Sequence, residues 1–282
     1  MIDEIVVTPV LNQEQLESLK FQLLTPSHGK LIERSTRVMC DGKIKAMYLS
    51  SKDYPLIRRW SYKMALDGLQ HLKFNPAKDS DRPMIYQTEI GEELLAGWLR
   101  PRNPRREDWL RKADRDQFFE VLKLSPLMED MERALQKYMP EYYRRVHGPV
   151  VVNLTRPQEE RLKTLHKVSD PHQRAWLRAV DGERKYLFLG THGFSTITLN
   201  HNILFGAHND GRNVPGTLGC LTALGEYAGG ELCFPRLGIT FDLRPGDLLI
   251  ADTNREFHGT VGGIVGSRYS VVAYLHESLL NL

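Results

Sequence analysis

The sequence is poor in cysteine, and this excludes a small fold held together by disulfide bonds. It has only three cysteines in 282 residues, an odd number with no CxxC spacing. We therefore expect Cys40, Cys220 and Cys233 to be buried, reduced thiols that pack as small apolar side chains. Thiols of this kind indicate a reducing, intracellular compartment, either the cytoplasm or the nucleus.

The sequence also lacks a long apolar run and a strong net charge of either sign. No run is long enough to cross a bilayer, and the acidic start at Met1–Glu4 does not have the pattern of a signal peptide. We therefore expect a soluble protein without a membrane partner. The net charge of +3 does not by itself indicate a polyanionic partner.

Basic residues are nevertheless concentrated in two places. One stretch runs from Arg100 to Arg115, and a second, Tyr142–Arg145, joins two tyrosines to two arginines. Interspersed acidic residues partly balance the first stretch and favour a solvated helix face, with contact to nucleic acid as the alternative. The basic residues of that stretch are Arg100, Arg102, Arg105, Arg106, Arg111, Lys112 and Arg115.

The first half of the chain has mostly helical patterns, and we assign residues 1–184 to a support, lid or substrate-binding region. Trp60 and Met64 are expected on the buried side of the second helix, and Pro140 should end or kink the third. Between the first two helices, Asp41-Gly42 predicts a β-hairpin. Helix starts are indicated at Asn12 with Gln15, Asp53 with Pro55, Ser125 with Pro126, and Thr155 with Pro157.

From about residue 185 the pattern changes to short alternating runs broken by Gly, Pro and Asn. This predicts an α+β protein whose C-terminal core, residues 185–282, is a double-stranded β-helix, a jelly roll of the cupin-like type. Gly229–Pro235 and Arg244–Asp247 are expected to reverse the chain, with contact between Glu231 and a substrate as the alternative. Strands are predicted at Tyr186–Leu189, Ser195–Leu204, Leu218–Ala223, Leu232–Phe234, Ile239–Leu243, Asp247–Asp252 and Arg268–His276.

Three side chains of this core have the pattern of a metal site. His208 and Asp210 are two residues apart, so a strand would place both side chains on the same side. His258 follows a later strand-like run, where a loop can deliver it to the same cavity. Two imidazoles and one carboxylate can occupy one face of an octahedral Fe(II) ion, leaving three positions for a co-substrate and O2. A surface HxD triplet with a separately packed His258 is the alternative.

A basic residue follows the third candidate ligand. Arg268 offers a planar fork that grips a carboxylate, and Ser270 lies two positions along, on the same face of a strand. A 2-oxoacid bound to iron through one end would place its distal carboxylate there. The alternative is an arginine that balances a buried acid such as Asp252.

Polar residues before the HxD triplet are further candidates. Asn200 could donate to a metal-bound carboxylate or orient a ligand, or it could simply end its strand. His201 is an odd number of positions from His208, so a regular strand would point it away from the site. His192 and His276 are competing histidines close to the site in sequence.

The stretch Phe194–Leu275 resembles the catalytic domain of the 2-oxoglutarate/Fe(II) oxygenases, and in detail the TET/JBP branch with its fungal and phage relatives. The resemblance lies in STITLNHN, in AHND, in GGELCFPRLGITFDLRPGDLLI, and in the HG and GSRYSVVAYLH pieces near the end. It implies that His208, Asp210 and His258 bind Fe(II). It also implies that Arg268, Ser270 and Asn200 bind 2-oxoglutarate. It also implies O2 as co-substrate.

The resemblance implies a dioxygenase that oxidises the methyl group of a 5-methylpyrimidine in nucleic acid. Two alternatives stay open from the residues. One is a hydroxylase of a small molecule such as an amino acid or a natural-product intermediate, and the modest net charge favours it. The other is a cupin-like binding or sensor module without catalysis. The sequence does not indicate an oligomeric state.

Overall fold

The computed structural model describes residues 2–76, 85–86, 92–97, 117–149 and 193–277. A π-helical turn, Tyr143–His147, follows the last α-helix. The α-helices are α1 Gln13–Leu19, α2 Arg59–His71, α3 Phe118–Leu122, α4 Ser125–Tyr138 and α5 Pro140–Tyr142. The strands are β1 Asp3–Val6, β2 Lys30–Ile32, β3 Thr36–Cys40, β4 Lys43–Leu49, β5 Asn75–Pro76, β6 Ile85–Tyr86, β7 Glu92–Gly97, β8 Thr196–His201, β9 Leu204–Phe205, β10 Gly219–Phe234, β11 Ile239–Phe241, β12 Leu248–Ala251 and β13 Gly259–Tyr274.

One large mixed sheet organises the described residues. Its strand order is β1-β3-β4-β12-β10-β13-β8-β7-β5, and β11 joins it by pairing with β10 and β2. The centre, β12-β10-β13-β8, comes from the C-terminal part of the chain and is antiparallel throughout. Strands from the first hundred residues extend the sheet on both sides, so the two halves of the chain share one sheet.

The first half therefore differs in part from its sequence-based description. All α-helices among the described residues come from it, as expected, but it also contributes β1–β7. The hairpin predicted around Asp41-Gly42 is confirmed as β3 and β4. The predicted boundary at residue 184, the helix from Thr155 and the basic stretch Arg100–Arg115 lie outside the described residues.

Two predicted strands are one long strand in the structure. Gly229 and Gly230 were expected to reverse the chain, and this expectation is wrong, because β10 continues through them with a bulge opposite β13. Both glycines have positive φ, 79° and 74°. A Cβ on Gly229 would lie 2.0 Å from the carbonyl oxygen of Gly263, so only glycine fits this close crossing. The second predicted turn, Arg244–Asp247, is confirmed by the bond from Asp247 N to Arg244 O.

Apolar side chains lie on both faces of the central strands and form two core clusters. On β12, Leu248 and Ile250 face the cluster beneath α2 and α4, whereas Leu249 and Ala251 face the cluster containing Phe241. This alternation is the period-two pattern of a strand that is covered on both faces. Burying a Leu or Ile side chain stabilises the fold by roughly 1.5–3 kcal/mol, so both clusters stabilise the sheet, one on each face.

Helix starts were predicted with mixed success. The capping box of Asn12 and Gln15 is confirmed at α1, and α4 begins at Ser125 as expected. Helix α2 begins at Arg59, after the predicted start. Trp60 and Met64 were expected to be buried. This expectation is wrong, because they are 48% and 41% exposed.

The reason lies in the small residues of α2. The helix buries Ser61, Ala65 and Gly68, with Leu69. A Cβ on Gly68 would lie 2.6 Å from the carbonyl oxygen of Glu120. Helix α3 therefore packs against the small side of α2, and the large side chains of α2 are left outside.

The three cysteines are free and buried, as predicted. None of the helices in the described part of the chain is both long and apolar enough to cross a bilayer.

His147 ties the π-helical turn to the start of β8. Its Nε2 donates to the carbonyl oxygen of Gly193, and its ring packs against Tyr143 and Phe194. Its Nδ1 has no hydrogen-bond partner among the described residues. Burial lowers the pKa of His147 from 6.5 to about 4, although the bond to Gly193 acts in the opposite direction.

This lowered pKa predicts a loss of stability in acid. Below pH 6.5 the unfolded chain binds a proton at His147 that the folded chain does not bind until about pH 4. Stability is therefore full above pH 6.5 and falls by up to about 3 kcal/mol as the pH drops toward 4. Urea unfolding of His147→Gln across this range should show a shallower pH dependence, with the exposed His71→Gln as control. An unchanged slope in His147→Gln would contradict the assignment.

Candidate active site

The backbone brings His208, Asp210 and His258 together. His208 and His258 form an isolated antiparallel bridge, with N-to-O distances of 2.9 and 2.8 Å in the two directions. The amide of Asp210 donates to the carbonyl oxygen of Thr253 at 2.9 Å. One loop, residues 252–258, thus supplies one of the three side chains and holds the other two in register.

The ring nitrogens of the two histidines point in a defined direction. His208 Nδ1 lies 2.8 Å from the carbonyl oxygen of Gly206, and His258 Nδ1 lies 3.0 Å from that of Glu256. Because carbonyl oxygens only accept, each Nδ1 carries the proton. The Nε2 atoms are turned toward Asp210 Oδ1, at 3.8 and 4.0 Å.

The three side chains can hold a divalent transition-metal ion. One ligand atom from each lies within 4.8 Å of the others. Neighbouring ligands of a six-coordinate ion lie about 3 Å apart, so small side-chain movements would complete the geometry. Two neutral imidazoles and a carboxylate suit Fe(II), and the fixed Nδ1–H bonds are the support that metal-binding histidines use.

The segment that carries Asp210 is held by two asparagines. Asn213 Nδ2 lies 3.4 Å from Asp210 Oδ2 and 3.2 Å from Thr253 Oγ1. Asn254 Nδ2 donates to the Asp210 carbonyl at 2.8 Å and to the Asn213 carbonyl at 3.1 Å. The carboxylate itself is 28% exposed, so the cluster is accessible from the Asp210 side.

Arg268 is a buried cation whose hydrogen-bonding capacity is only partly used. It is 8% exposed, its guanidinium carbon lies 5.5 Å from the centre of the Tyr227 ring, and its Nε has no partner among the described residues. Burial lowers the pKa of Arg268, while Tyr227 and Glu231 act to raise it. A Cβ on Gly230 would lie 3.1 Å from Arg268 Cδ, so the bulge glycine leaves room for this side chain.

The alternative partner for Arg268 is not supported. Asp252 lies 3.7 Å from Lys45 Nζ, and these two side chains form their own buried pair. Arg268 is therefore not balanced by Asp252. A buried guanidinium with an unused Nε donor is suited to a carboxylate ligand.

Ser270 and Asn200 face each other across β13 and β8. Asn200 Nδ2 donates to Ser270 Oγ at 3.1 Å, which leaves the hydroxyl proton of Ser270 available to another acceptor. The Oδ1 atom of Asn200 is buried without a partner in the described part of the chain. The structure thus places Asn200 against Ser270 and not against Asp210.

His201 and His276 are not part of the three-residue cluster. His201 stacks on Tyr269 with ring centres 4.4 Å apart, and its Nε2 lies 3.1 Å from Ser267 Oγ. His276 forms an isolated bridge with Asn213, beside the site. His192 is outside the described residues.

The model of the Tet_JBP family, described as the oxygenase domain of the 2OGFeDO superfamily, matches residues 99–277. The chain belongs to this family. Membership of the TET/JBP family confirms the resemblance seen in the sequence. It also confirms the predicted α+β fold with a double-stranded β-helix core. The superfamily uses Fe(II), 2-oxoglutarate and O2, and the donor set above fits them.

Two similar curated proteins are thymine dioxygenases by name. The "Bifunctional helicase and thymine dioxygenase JBP2" of Leishmania infantum is 38% identical over 102 residues, which are 34% of this chain and 9% of that protein. "Thymine dioxygenase JBP1" of Trypanosoma brucei brucei is 32% identical over 92 residues, 30% of this chain and 11% of that protein. The matched region thus spans about a tenth of these relatives.

Two solved structures have a distant similarity in shape. "NgTET1 in complex with 5mC DNA" is 14% identical, with a TM-score of 0.46 and coverage of 95% of this chain and 92% of that one. OsALKBH1 is 12% identical, with a TM-score of 0.40 and coverage of 82% and 97%. These values are too low to transfer any residue's role.

Several supporting residues of this TET/JBP site were missed in the sequence. Asn213 and Asn254 gave a weak signal, because each lies within four residues of a candidate ligand. Lys45 and Arg236, which contact the loop that carries His258, gave none. They come from distant parts of the chain, and only the folded sheet brings them there.

The cluster predicts tight binding of Co(II), an ion that takes the same ligands as Fe(II). We expect His208→Ala or His258→Ala to weaken Co(II) binding by more than about a hundredfold, since loss of a supporting residue alone costs about 10–100-fold. Calorimetric titration of the purified variants measures this. His201→Ala is the matched control, and equal weakening there, or native affinity in either ligand variant, would defeat the assignment.

Proposed function

We propose that this chain is an Fe(II)- and 2-oxoglutarate-dependent dioxygenase that oxidises the methyl group of a 5-methylpyrimidine in nucleic acid. The observation that carries the proposal is the His208–Asp210–His258 cluster, in a chain of the TET/JBP family. The partly satisfied Arg268 lies on β13, the strand that begins directly after His258. Each part of the site then has a distinct task.

His208 and His258 would hold the iron through Nε2, and Asp210 through a carboxylate oxygen. Three protein ligands leave three positions of an octahedral ion for 2-oxoglutarate and O2. When bound, these cofactors supply the oxidising power that hydroxylates a C–H bond. Because Asp210 fills the carboxylate position, no site is left open for a halide, and this supports hydroxylation over halogenation.

Arg268 and Ser270 would bind the distal carboxylate of 2-oxoglutarate. The guanidinium is already desolvated in the fold, so the carboxylate gains a strong charge-assisted bond without further burial of the arginine. Ser270 can donate its hydroxyl proton, because its oxygen already accepts from Asn200. Asn200 would then act on the co-substrate through Ser270.

The substrate class rests on the family and on the accessible side of the site. A base within a duplex cannot reach a metal ion inside a protein, so it would have to leave the base stack and enter on the exposed Asp210 side. The curated relatives are thymine dioxygenases by name, and thymine is the 5-methylpyrimidine of DNA. These names support a methylated pyrimidine in DNA.

Arg268→Leu tests the co-substrate site. Removing one partner of a buried charge pair costs roughly 3–5 kcal/mol of binding free energy. The dissociation constant of 2-oxoglutarate should therefore rise at least about a hundredfold. Arg268→Lys should recover part of this loss, because it keeps the charge without the fork. Co(II) binding should persist in both variants.

The matched control is Arg58→Leu, which removes an arginine whose partner, Asp130, is internal. It should lower the melting temperature and leave 2-oxoglutarate affinity unchanged. Binding is followed by titrating 2-oxoglutarate into the metal-loaded protein. Native affinity in a well-folded Arg268→Leu variant would remove the anchor and weaken the assignment of the co-substrate.

The substrate assignment predicts succinate release that depends on methylated nucleic acid. Oligonucleotides with 5-methylcytosine or thymine should stimulate turnover above the same sequences with cytosine or uracil, and binding should weaken steeply with salt. Asp210→Ala is the inactive control. Turnover that responds only to free amino acids or other small molecules would overturn the nucleic-acid assignment while leaving the dioxygenase intact.

A further inference from the structure

A buried cluster of charged side chains lies under the loop that carries His258. Glu256, 1% exposed in its side chain, receives two bonds from Arg236, at 2.8 and 2.9 Å. Lys45 Nζ lies 2.7 Å from Glu256 Oε1, one of the two oxygens that accept from Arg236. Lys45 also faces Asp252 at 3.7 Å. Strand β4, the turn after β10 and the loop are thus joined at one carboxylate.

This charged cluster is connected to the proposed metal ligand by the backbone. The carbonyl oxygen of Glu256 accepts the bond from His258 Nδ1 at 3.0 Å. The amide of Glu256 donates to Asp252 O at 2.9 Å, and the amide of Asp252 donates to Lys45 O at 3.0 Å. The side chain of Glu256 therefore fixes the peptide group against which the imidazole is oriented.

The same loop also forms hydrogen bonds with Asp210, a second proposed ligand. The carbonyl oxygen of Thr253 accepts from the amide of Asp210, and Asn254 donates to the Asp210 carbonyl. A loop displaced by loss of its ionic anchor would therefore move two of the three proposed ligands relative to His208.

A purely stabilising role explains this arrangement poorly. Burying several charges costs free energy that their mutual attraction repays only with good geometry, and apolar residues of similar volume would often stabilise a core as well. The ionic cluster adds a fixed orientation of the Glu256 side chain. Arg236 grips Glu256 with both donors of its fork, so the carboxylate has one allowed orientation.

We propose that Lys45, Arg236 and Glu256 are positioning residues of the metal centre, which hold the Glu256 carbonyl so that His258 Nε2 is aimed at the metal position. The inference rests on the proposed function in one respect, that His258 is a ligand. It assigns to Lys45, a residue of the N-terminal half, an effect on metal affinity.

The test compares metal affinity with stability in three variants. Glu256→Gln keeps the shape of the side chain but removes its charge, Arg236→Lys keeps the charge but not the fork, and Lys45→Met removes the second cation. We expect Glu256→Gln to weaken Co(II) binding about 10–100-fold and to change the visible absorption of bound Co(II). Arg236→Lys and Lys45→Met should have the same effects to a smaller degree.

Asp130→Asn is the matched control. Asp130, on α4, is a carboxylate that is 1% exposed and is paired at 2.7 Å with Nε of Arg58, the residue before α2. Neither residue takes part in the bonds described for the loop. It should lose stability comparably, with native Co(II) affinity and spectrum. All titrations are made at a temperature at which the protein is folded by circular dichroism.

The outcomes separate the inference from the proposed function. Native Co(II) affinity and spectrum in folded Glu256→Gln, or equal weakening in Asp130→Asn, would overturn the positioning role alone. If Glu256→Gln does not fold, native affinity in Arg236→Lys and Lys45→Met would have the same meaning. No Co(II) binding by the native chain would remove the proposed metal centre, and the inference with it.

Discussion

The site depends on the two reciprocal backbone bonds between His208 and His258. They join two segments far apart in sequence, and they require the backbones to come very close. Gly259 permits this, because a Cβ there would lie 3.0 Å from the amide nitrogen of Ala207. Once this bridge is formed, both Nδ1 atoms find carbonyl oxygens within their own segments, and both Nε2 atoms are turned toward Asp210. Iron would complete a geometry that hydrogen bonds of the protein have already organised.

Two buried charged groups near the site differ in how well they are satisfied. Glu256 is saturated, with bonds from Arg236 and from Lys45. Arg268 is not, because its Nε lacks a partner among the described residues. An unsatisfied buried donor costs about 1–3 kcal/mol. Binding of a ligand's carboxylate to Arg268 would offset that cost. Glu256, which is saturated, would instead hold the loop that carries His258 in a fixed position.

The N-terminal half contributes to the site through the sheet. Strand β4 pairs with β12 and delivers Lys45 under the ligand loop. Residues 21 and 22 exchange backbone bonds with Ala207, directly before His208, at 2.7 and 2.8 Å. The candidate ligands lie in the last third of the chain, but the strands around them come from both halves.

The sequence by itself determined the fold class and predicted which side chains form the candidate site. The HxD spacing, the later histidine and the arginine beyond it predicted the three-residue cluster and the buried cation, because short motifs contain the donor atoms that a metal and a carboxylate need. Turn and cap signals identified the β3–β4 hairpin and the starts of α1 and α4 for the same local reason. Only the tertiary structure decided that β10 runs through Gly229 and Gly230, that Trp60 faces outward and that Lys45 supports His258. These outcomes depend on close approaches between distant segments, and no local pattern encodes which distant backbone will be the neighbour.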